Sequence, residues 1–409
     1  MAMLLIKNIG ILATAEGNEP LRGSAQHAGV KLIPDCAVLV NGDTIQRICP
    51  NAEAPECENV LDAGGKLVTS GLIDAHTHLI FGGWRQHEVP LKLRGAGYLE
   101  ILQAGGGILN TLTATRKATE DELYERAEAV LSEMLDHGIT AVEAKSGYGL
   151  DVENELKQLR VIRRLKEEGG YNVIPTFMAA HAVPPEYKGD PDGYIEFVCR
   201  EILPRVADDE LCEFVDVFCE TGVFDVEQSR KMLTYGQAYG FKAKIHADEI
   251  DAIGGSVLAG ELGAVSAEHL IAADDKGIAS MAKGGTIACL LPGTSLYLNK
   301  DFAPARRMIS AGVPVAICTD FNPGSCPSCD LQLCMNLGYL KYRMTPEEVL
   351  AAVTINAACA VGRGETLGTV EPGKQADLVI WNAPDLDYLV YRMGSNLAEK
   401  VIRKGNIVK

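Results

Sequence analysis

The sequence predicts an α/β fold, a (β/α)8 TIM barrel, with a small β-sandwich domain built from both termini. Between residues 67 and 319, eight short apolar runs alternate with amphipathic helical stretches, a pattern typical of β/α units around a parallel sheet. Eight is also the strand number of that barrel. The predicted barrel strands are 67–75, 139–144, 173–180, 214–218, 243–245, 264–267, 286–291 and 313–319.

Short strands joined by turns lie at both ends of the chain. The apolar run 36–40 leads into Asn41-Gly42, a favoured hairpin dipeptide, and the short runs 377–381 and 401–404 follow Gly364. We therefore expect residues 1–62 and 363–409 to form the two parts of the sandwich, and residues 63–362 to form the barrel.

Local signals support the helices between the strands. Thr119 stands three residues before Glu122 as a capping box, and Gly138 is a C-terminal stop, so a helix is predicted over residues 123–136. The glycine run 105–107 predicts a loop. A phosphate cradle is not favoured there, because no strand precedes the run and no Lys-Ser or Lys-Thr pair follows it.

Composition narrows the class of protein. With 409 residues, 47% of them hydrophobic, the chain can bury a full core, and its net charge of −17 disfavours nucleic acid or an anionic membrane surface as partner. The twelve cysteines are dispersed and follow no secretory leader. No apolar stretch approaches the roughly 18 residues needed to span a bilayer. We expect a cytoplasmic protein with free thiols.

Histidines collect at the ends of the predicted strands, where TIM barrels place their active sites. His76 and His78 lie two apart on an extended segment and therefore face the same side. With His246 and Asp320 they make a set of three nitrogens and one oxygen that suits zinc or iron and leaves a position open for water. A single strand-end histidine, such as His181 alone, would more often be structural.

Two further residues are candidates for proton transfer. Glu249 follows His246 by three residues, although it could instead be a solvated acid in a first helical turn, and His269 ends the sixth strand. The fourth strand ends in Cys219-Glu220 without a lysine that could bridge two metals, so one metal per chain is expected. Lys145, after the second strand, is the exception left open to this argument, although its place before Ser146-Gly147-Tyr148 favours a loop role. The single Cys326-x-x-Cys329 pair is not expected to bind metal.

The order His76-Thr77-His78, His246, His269 and Asp320 resembles the amidohydrolase superfamily. Within it, the segments 143–150, 180–187 and 319–325 resemble the family that hydrolyses an imidazolone ring, and the likeness runs from about residue 60 to the C-terminus.

The resemblance implies hydrolysis of the cyclic amide of 4-imidazolone-5-propanoate to N-formimidoyl-L-glutamate, in histidine degradation, by a metal-activated water. It implies one Zn²⁺ or Fe ion per chain on His76, His78, His246 and Asp320, and usually a homodimer. With the proton-transfer candidates above, the expected catalytic residues are Glu249, His269 and Asp320. The substrate contacts that the resemblance implies are Arg85, Tyr148, His181, Glu249, Asn322, Gly324 and Ser325. Arg85 also suits the substrate's propionate on chemical grounds, since a guanidinium binds a carboxylate with two hydrogen bonds; the alternative is an ordinary surface cation.

Two other functions remain open. A cytosine- or guanine-deaminase-like amidohydrolase would share the paired histidines and the spacing of His246 and Glu249, but its neutral cyclic amidine would not need Arg85. A protein that binds metal on the same barrel without catalysis is disfavoured by the complete ligand set, and a turnover assay would distinguish it.

Overall fold

The computed structural model describes residues 3–95 and 107–409, so Gly105 and Gly106 of the predicted glycine loop lie outside the described residues. Its strands form two sheets. In chain order they are β1 (Met3–Thr14), β2 (Lys31–Asn41), β3 (Thr44–Pro50), β4 (Asn59–Asp62), β5 (Leu67–Ser70), β6 (Leu72–Asp74), β7 (Ile139–Lys145), β8 (Asn172–Ala180), β9 (Phe214–Cys219), β10 (Lys242–Ala247), β11 (Ser266–His269), β12 (Ile287–Leu290), β13 (Val315–Ile317), β14 (Leu378–Trp381), β15 (Ala398–Arg403) and β16 (Asn406–Ile407).

The first sheet joins the two ends of the chain. Its order is β16-β15-β14-β5-β1-β2-β3, with β4 beside β1, and β14 pairs antiparallel with β5. The predicted hairpin is confirmed: Asn41 of β2 lies opposite Thr44 of β3, and Gly42 in the turn has a φ of 62°. An aliphatic core that includes Ile6, Val38 and Ile380 is buried against this sheet.

The second sheet is the barrel, in which β6 to β13 are parallel neighbours in sequence order. The predicted barrel with a separate sheet from the termini is therefore confirmed. The first predicted strand, 67–75, was wrong as one element, because β5 belongs to the terminal sheet and β6 to the barrel. The change falls at Gly71, where a Cβ would lie 2.2 Å from Thr140 Oγ1, so only glycine permits this approach to β7.

Helices flank the barrel strands. The predicted capping box is present: Glu122 N donates to Thr119 Oγ1 (3.2 Å), and Thr119 N donates to Glu122 Oε2 (2.9 Å). The α-helices of the described residues are Ala25–Ala28, Val89–Leu93, Ile108–Lys117, Glu120–Asp136, Val152–Glu167, Pro191–Phe197, Leu203–Asp208, Val226–Ala238, Gly255–Leu262, Asp275–Gly284, Pro292–Tyr297, Ala305–Ser310, Leu331–Leu340, Pro346–Val353, Ile355–Ala360 and Leu386–Tyr391. Within the described ranges, no helix combines the length and apolar character needed to cross a membrane.

The first and last barrel strands meet just beyond their carboxyl ends. There Asp320 N donates to His76 O (3.1 Å), and His78 N donates to Phe321 O (2.9 Å). The backbone thus joins the segments after β6 and β13 at the residues that sequence analysis singled out as metal ligands.

Candidate metal centre and active site

The four predicted metal ligands converge at the carboxyl end of the barrel. His78 Nε2 lies 3.3 Å from His246 Nε2, and Asp320 Oδ1 lies 3.4 Å from His76 Nε2 and 3.7 Å from His78 Nε2. All four side chains are buried. Ligand atoms of His76, His78 and Asp320 lie within 4.8 Å of one another, as do those of His76, His246 and His269. The arrangement brings these donors close enough to share one cation.

The donor atoms fit a metal ion chemically. His76 Nε2 is buried and makes no hydrogen bond within the described part of the chain, which is costly for a polar atom unless a cation binds it. Burial lowers the pKa of His76 and His78 well below the usual range and that of His246 to about 3. The imidazoles are therefore neutral, as metal ligation requires. Three imidazoles and one carboxylate suit zinc or iron.

Two buried carboxylates contact the Nδ1 atoms of two of these histidines, whose Nε2 atoms face the candidate centre. His76 Nδ1 lies 2.9 Å from Glu268 Oε2, and His246 Nδ1 lies 3.1 Å from Asp216 Oδ1. An Nδ1–H that donates to a carboxylate leaves Nε2 unprotonated and directed at the centre. Asp216 and Glu268 were not predicted from the sequence, although a signal was available for Asp216, a charged residue inside the otherwise apolar strand β9.

Lys145 corrects an expectation. Predicted in a loop, it is instead the last residue of β7 and fully buried, with Nζ 2.7 Å from Glu143 Oε1 and 2.8 Å from Asp216 Oδ2. Burial alone would lower its pKa, but Asp216 and Glu143 raise the Lys145 pKa above the usual range. Lys145 is therefore a buried ammonium group below the candidate centre.

Glu249 and His269, the predicted proton-transfer residues, face each other. Glu249 Oε2 lies 3.7 Å from His269 Nε2, and the His269 ring centroid lies 5.2 Å from that of His246. Burial, followed by the charge of Glu220, raises the pKa of Glu249 to about 7. A carboxyl group with that pKa exchanges protons readily near neutral pH.

Asp320 and His269 both have left-handed backbones. Their φ values are 57° and 68°, a region that residues other than glycine seldom adopt, although aspartate and histidine are enriched among those that do. Such strain often marks functional positions. Thr294 Oγ1 donates to Asp320 Oδ2 (2.5 Å), which leaves Asp320 Oδ1 towards the histidines, and burial raises the Asp320 pKa to about 6.

His181 and Tyr148 line the side of the centre next to His78. The rings of His181 and His78 stack with centroids 4.7 Å apart and planes 15° apart, and the Tyr148 ring lies 5.3 Å from that of His181. His181 Nδ1 donates to Gly147 O (3.0 Å), so Nε2 is the unprotonated nitrogen. Burial lowers the pKa of His181 to about 4 and raises that of Tyr148 above its usual range, so both groups are uncharged near neutral pH.

Arg85 lies between a glutamate and the loop after Asp320. Its Nε and Nη2 donate to Glu88 Oε1 (2.8 Å) and Oε2 (3.0 Å). A Cβ on Gly324 would lie 2.2 Å from Arg85 Nη1. Glu88 thus engages one two-nitrogen edge of the guanidinium that was predicted to bind the substrate, while Nη1 lies against the loop. Glu88, three residues after Arg85, was not predicted as a site residue from the sequence.

The Asn322 side chain stabilises the loop in which it lies. Nδ2 donates to Asp320 O (2.7 Å) and Ser325 Oγ (2.8 Å), and Oδ1 accepts from Gly324 N and Ser325 N, each at 2.8 Å. The amide therefore uses its polar groups to shape residues 320–325. Gly324 therefore lies against Arg85, as the predicted substrate site requires, whereas the polar groups of the Asn322 side chain are used in hydrogen bonds within the loop.

The fold and the convergent donors define a class of protein. A model of the amidohydrolase family matches residues 67–408, and the chain belongs to that family. At 49% identity over 415 aligned residues it is similar to the imidazolonepropionase of Alkaliphilus metalliredigens, covering 100% of this chain and 98% of that protein. It is also 47% identical to the imidazolonepropionase of Bacillus cytotoxicus, covering 100% and 97%.

Solved structures support the fold. A variant of atrazine chlorohydrolase from Arthrobacter aurescens TC1, complexed with zinc and atraton, superposes with a TM-score of 0.75 at 18% identity, covering 99% of this chain and 95% of that one. An adenosine deaminase from Xanthomonas campestris with bound zinc gives a TM-score of 0.71 at 21% identity, covering 99% and 92%. The full-length relatives at 47–49% identity do not favour the deaminase-like alternative.

Proposed function

We propose that this protein is a hydrolase that opens the cyclic amide of 4-imidazolone-5-propanoate to give N-formimidoyl-L-glutamate. The observation that carries the proposal is the 47–49% identity over the whole chain to imidazolonepropionases. The convergence of three buried histidines and Asp320 at the barrel end supplies a chemical reason for it.

We further propose that His76, His78, His246 and Asp320 hold one zinc or iron ion per chain. A divalent cation in such a site supplies Lewis acidity, which acidifies water and polarises a carbonyl group. The orphaned Nε2 of His76 and the neutral imidazoles support this assignment.

Glu249 is the proposed proton carrier. In hydrolysis, water adds its oxygen to the ring carbonyl carbon, the C–N bond breaks, and the ring nitrogen gains a proton. The Glu249 carboxylate takes the proton from the water and delivers it to that nitrogen, a role that its pKa of about 7 supports. His269, whose pKa is lowered by burial, is a neutral neighbour with Nε2 3.7 Å from the Glu249 carboxylate, and its proposed role is to assist the attack of water.

The substrate is proposed to bind between Arg85, Tyr148, His181 and the 322–325 loop. An anion approaching a chain of net charge −17 needs a local cation, and Arg85 presents Nη1 beside Gly324. The protonated Tyr148 hydroxyl can donate a hydrogen bond, and the unprotonated Nε2 of His181 can accept one.

A substrate panel tests the proposal. Purified protein is supplied with imidazolonepropanoate generated from urocanate in the same cuvette, with cytosine, guanine and dihydropyrimidine in parallel. We expect turnover of imidazolonepropanoate. For substrates without a carboxylate we expect a rate at least 100-fold lower, because a lost charged hydrogen bond raises the barrier by roughly 3 kcal/mol. Preference for cytosine or guanine would reject the proposal.

A cytoplasmic location and a homodimer are also proposed. The twelve cysteines are all free thiols, which fits a reducing compartment. Light scattering tests the dimer, since one chain has a mass of 43.9 kDa and a dimer twice that.

A further inference from the structure

A buried ionic network lies inside the barrel below the candidate metal centre. It contains two lysines and three carboxylates, every one of them with a fully buried side chain: Glu143, Lys145, Asp216, Lys244 and Glu268. They come from β7, β9, β10 and β11. Fully buried charged groups are rare unless they are paired, because the desolvation of each one costs on the order of several kcal/mol.

Glu143 links the two lysines. Its Oε1 lies 2.7 Å from Lys145 Nζ and 3.2 Å from Lys244 Nζ, and it accepts from Thr176 Oγ1 at 2.6 Å. Lys244 Nζ also donates to Ala75 O (3.2 Å), directly before the first metal histidine in the chain. The network therefore spans the barrel from the residue that follows β6 to β11.

The network ends on two metal histidines. On one side, Asp216 lies between Lys145 Nζ (2.8 Å) and His246 Nδ1 (3.1 Å), and it also accepts from the backbone N–H of His246 (3.2 Å). On the other, Glu268 Oε2 lies 2.9 Å from His76 Nδ1, and its Oε1 accepts from Ser266 Oγ (2.5 Å) and lies 3.9 Å from Lys244 Nζ.

We propose that Lys145 is a positioning residue for the metal centre, acting on His246 through Asp216 and linked by Glu143 and Lys244 to Glu268 and His76. By holding one oxygen of Asp216, Lys145 fixes the carboxylate that accepts the Nδ1–H of His246, and so sets the tautomer and direction of that ring. The inference rests on the metal site proposed above. Partners of this kind typically alter metal affinity by roughly 10- to 100-fold when removed.

The main test is Lys145→Met, which keeps the side-chain length and removes the charge. We expect zinc affinity, measured by competition with a chromophoric chelator, to fall by about 10- to 100-fold. The visible absorption bands of the Co²⁺-loaded protein should also change, because they report ligand geometry.

Lys374→Met is the matched control. Lys374 is another buried lysine, but its Nζ donates to Gly17 O and Gly364 O, away from the barrel interior. We expect its zinc affinity and Co²⁺ spectrum to equal those of the wild type. A comparable loss of affinity in this control would show that the effect of Lys145→Met is a general consequence of removing a buried lysine, and would overturn the proposal.

A second variant, Asp216→Asn, keeps the test independent of the folding of Lys145→Met, and a double-mutant cycle then tests whether the two residues act together. Asp216→Asn keeps the shape and leaves Lys145 paired with Glu143, so it can be measured even if Lys145→Met does not fold. We expect Asp216→Asn to weaken zinc binding and the double variant to lose less than the two single losses combined, because both act through one contact. Unchanged affinity in Asp216→Asn, or in folded Lys145→Met, or additive losses, would overturn the inference. If the wild type itself bound no metal, the proposed function would fail instead.

Discussion

Asp320 and His76 are joined twice, by a backbone hydrogen bond from Asp320 N to His76 O (3.1 Å) and by side-chain atoms Oδ1 and Nε2 that lie 3.4 Å apart. The first bond closes the barrel, and the second contact lies in the candidate metal centre. The precision of that centre therefore depends on the closure of the fold, since a shift of one end strand would move one ligand relative to the other.

Removing one ligand should remove the metal. We expect one tightly bound equivalent in the wild type and less than a tenth of that in His78→Ala, because three donors remain and the affinity falls steeply with ligand number. Elemental analysis after dialysis measures this, with the exposed histidine variant His27→Ala as control. Two equivalents in active protein, or full activity of metal-free His78→Ala, would contradict the single-metal site.

Arg85 is expected to set affinity for the carboxylate. Truncation to alanine should lower kcat/KM by roughly 10- to 150-fold, the equivalent of about 1.5–3 kcal/mol for a charged hydrogen bond. Arg230→Ala, on the exposed face of a helix and paired with Glu261, serves as control. If Arg85→Ala stayed within twofold of the wild type, the carboxylate would have to bind elsewhere.

Gly324 should be needed for the position of Arg85. Gly324→Ala places a Cβ 2.2 Å from Arg85 Nη1, so the guanidinium must move, and we expect KM to rise by about 10-fold or more. The control is Gly83→Ala, whose Cβ would meet Ala114 Cβ at 3.4 Å, an ordinary contact. Equal kinetics for the two variants would separate Gly324 from the substrate site.

Glu249→Gln tests proton transfer directly. Turnover should fall by about 10²- to 10⁴-fold, the usual contribution of general acid–base catalysis, with metal content and thermal stability unchanged. The turnover of Glu249→Asp should lie between those of the wild type and Glu249→Gln, because the shorter side chain keeps the carboxylate but moves it. Glu227→Gln, an exposed acid in the helix Val226–Ala238, is the control. Near-normal turnover of Glu249→Gln would remove Glu249 from the catalytic residues.

The pH dependence of the reaction rate should report the ionisation of Glu249. Burial raises the Glu249 pKa to about 7, so the carboxyl is protonated below that pH and cannot accept a proton. The rate is therefore expected to decline as the pH falls through about 7, and Glu249→Gln should lack this limb. A wild-type profile that is flat from pH 6 to 8 would contradict the assignment.

The sequence predicted much of the barrel and the place of the donors, because strand periodicity locates strand ends and parallel strands bring their carboxyl ends together. The roles of His76, His78, His246 and Asp320 stay predictions, although their side chains converge as expected. The division of strand 67–75 at Gly71 was not predictable, since it depends on the tertiary approach of Thr140.

The missed residues share a physical reason. Asp216 and Glu268, and the buried position of Lys145, were not predicted because their contacts join strands that are distant in sequence, so no local spacing indicates them. The pairing of Arg85 with Glu88 and the internal bonds of Asn322 depend on irregular loop conformations, which have no periodic signal.

The most direct test of the proposed function is the fate of the ring nitrogens of imidazolonepropanoate. Ring opening adds one water and retains both nitrogens, so mass spectrometry should find a product 18 Da heavier than the substrate, by the mass of the water consumed in hydrolysis. A coupled assay should detect no ammonia, and prior removal of metal with a chelator should abolish the product. Stoichiometric ammonia release, or an undiminished rate in fully metal-free protein, would contradict a metal-dependent cyclic amide hydrolase.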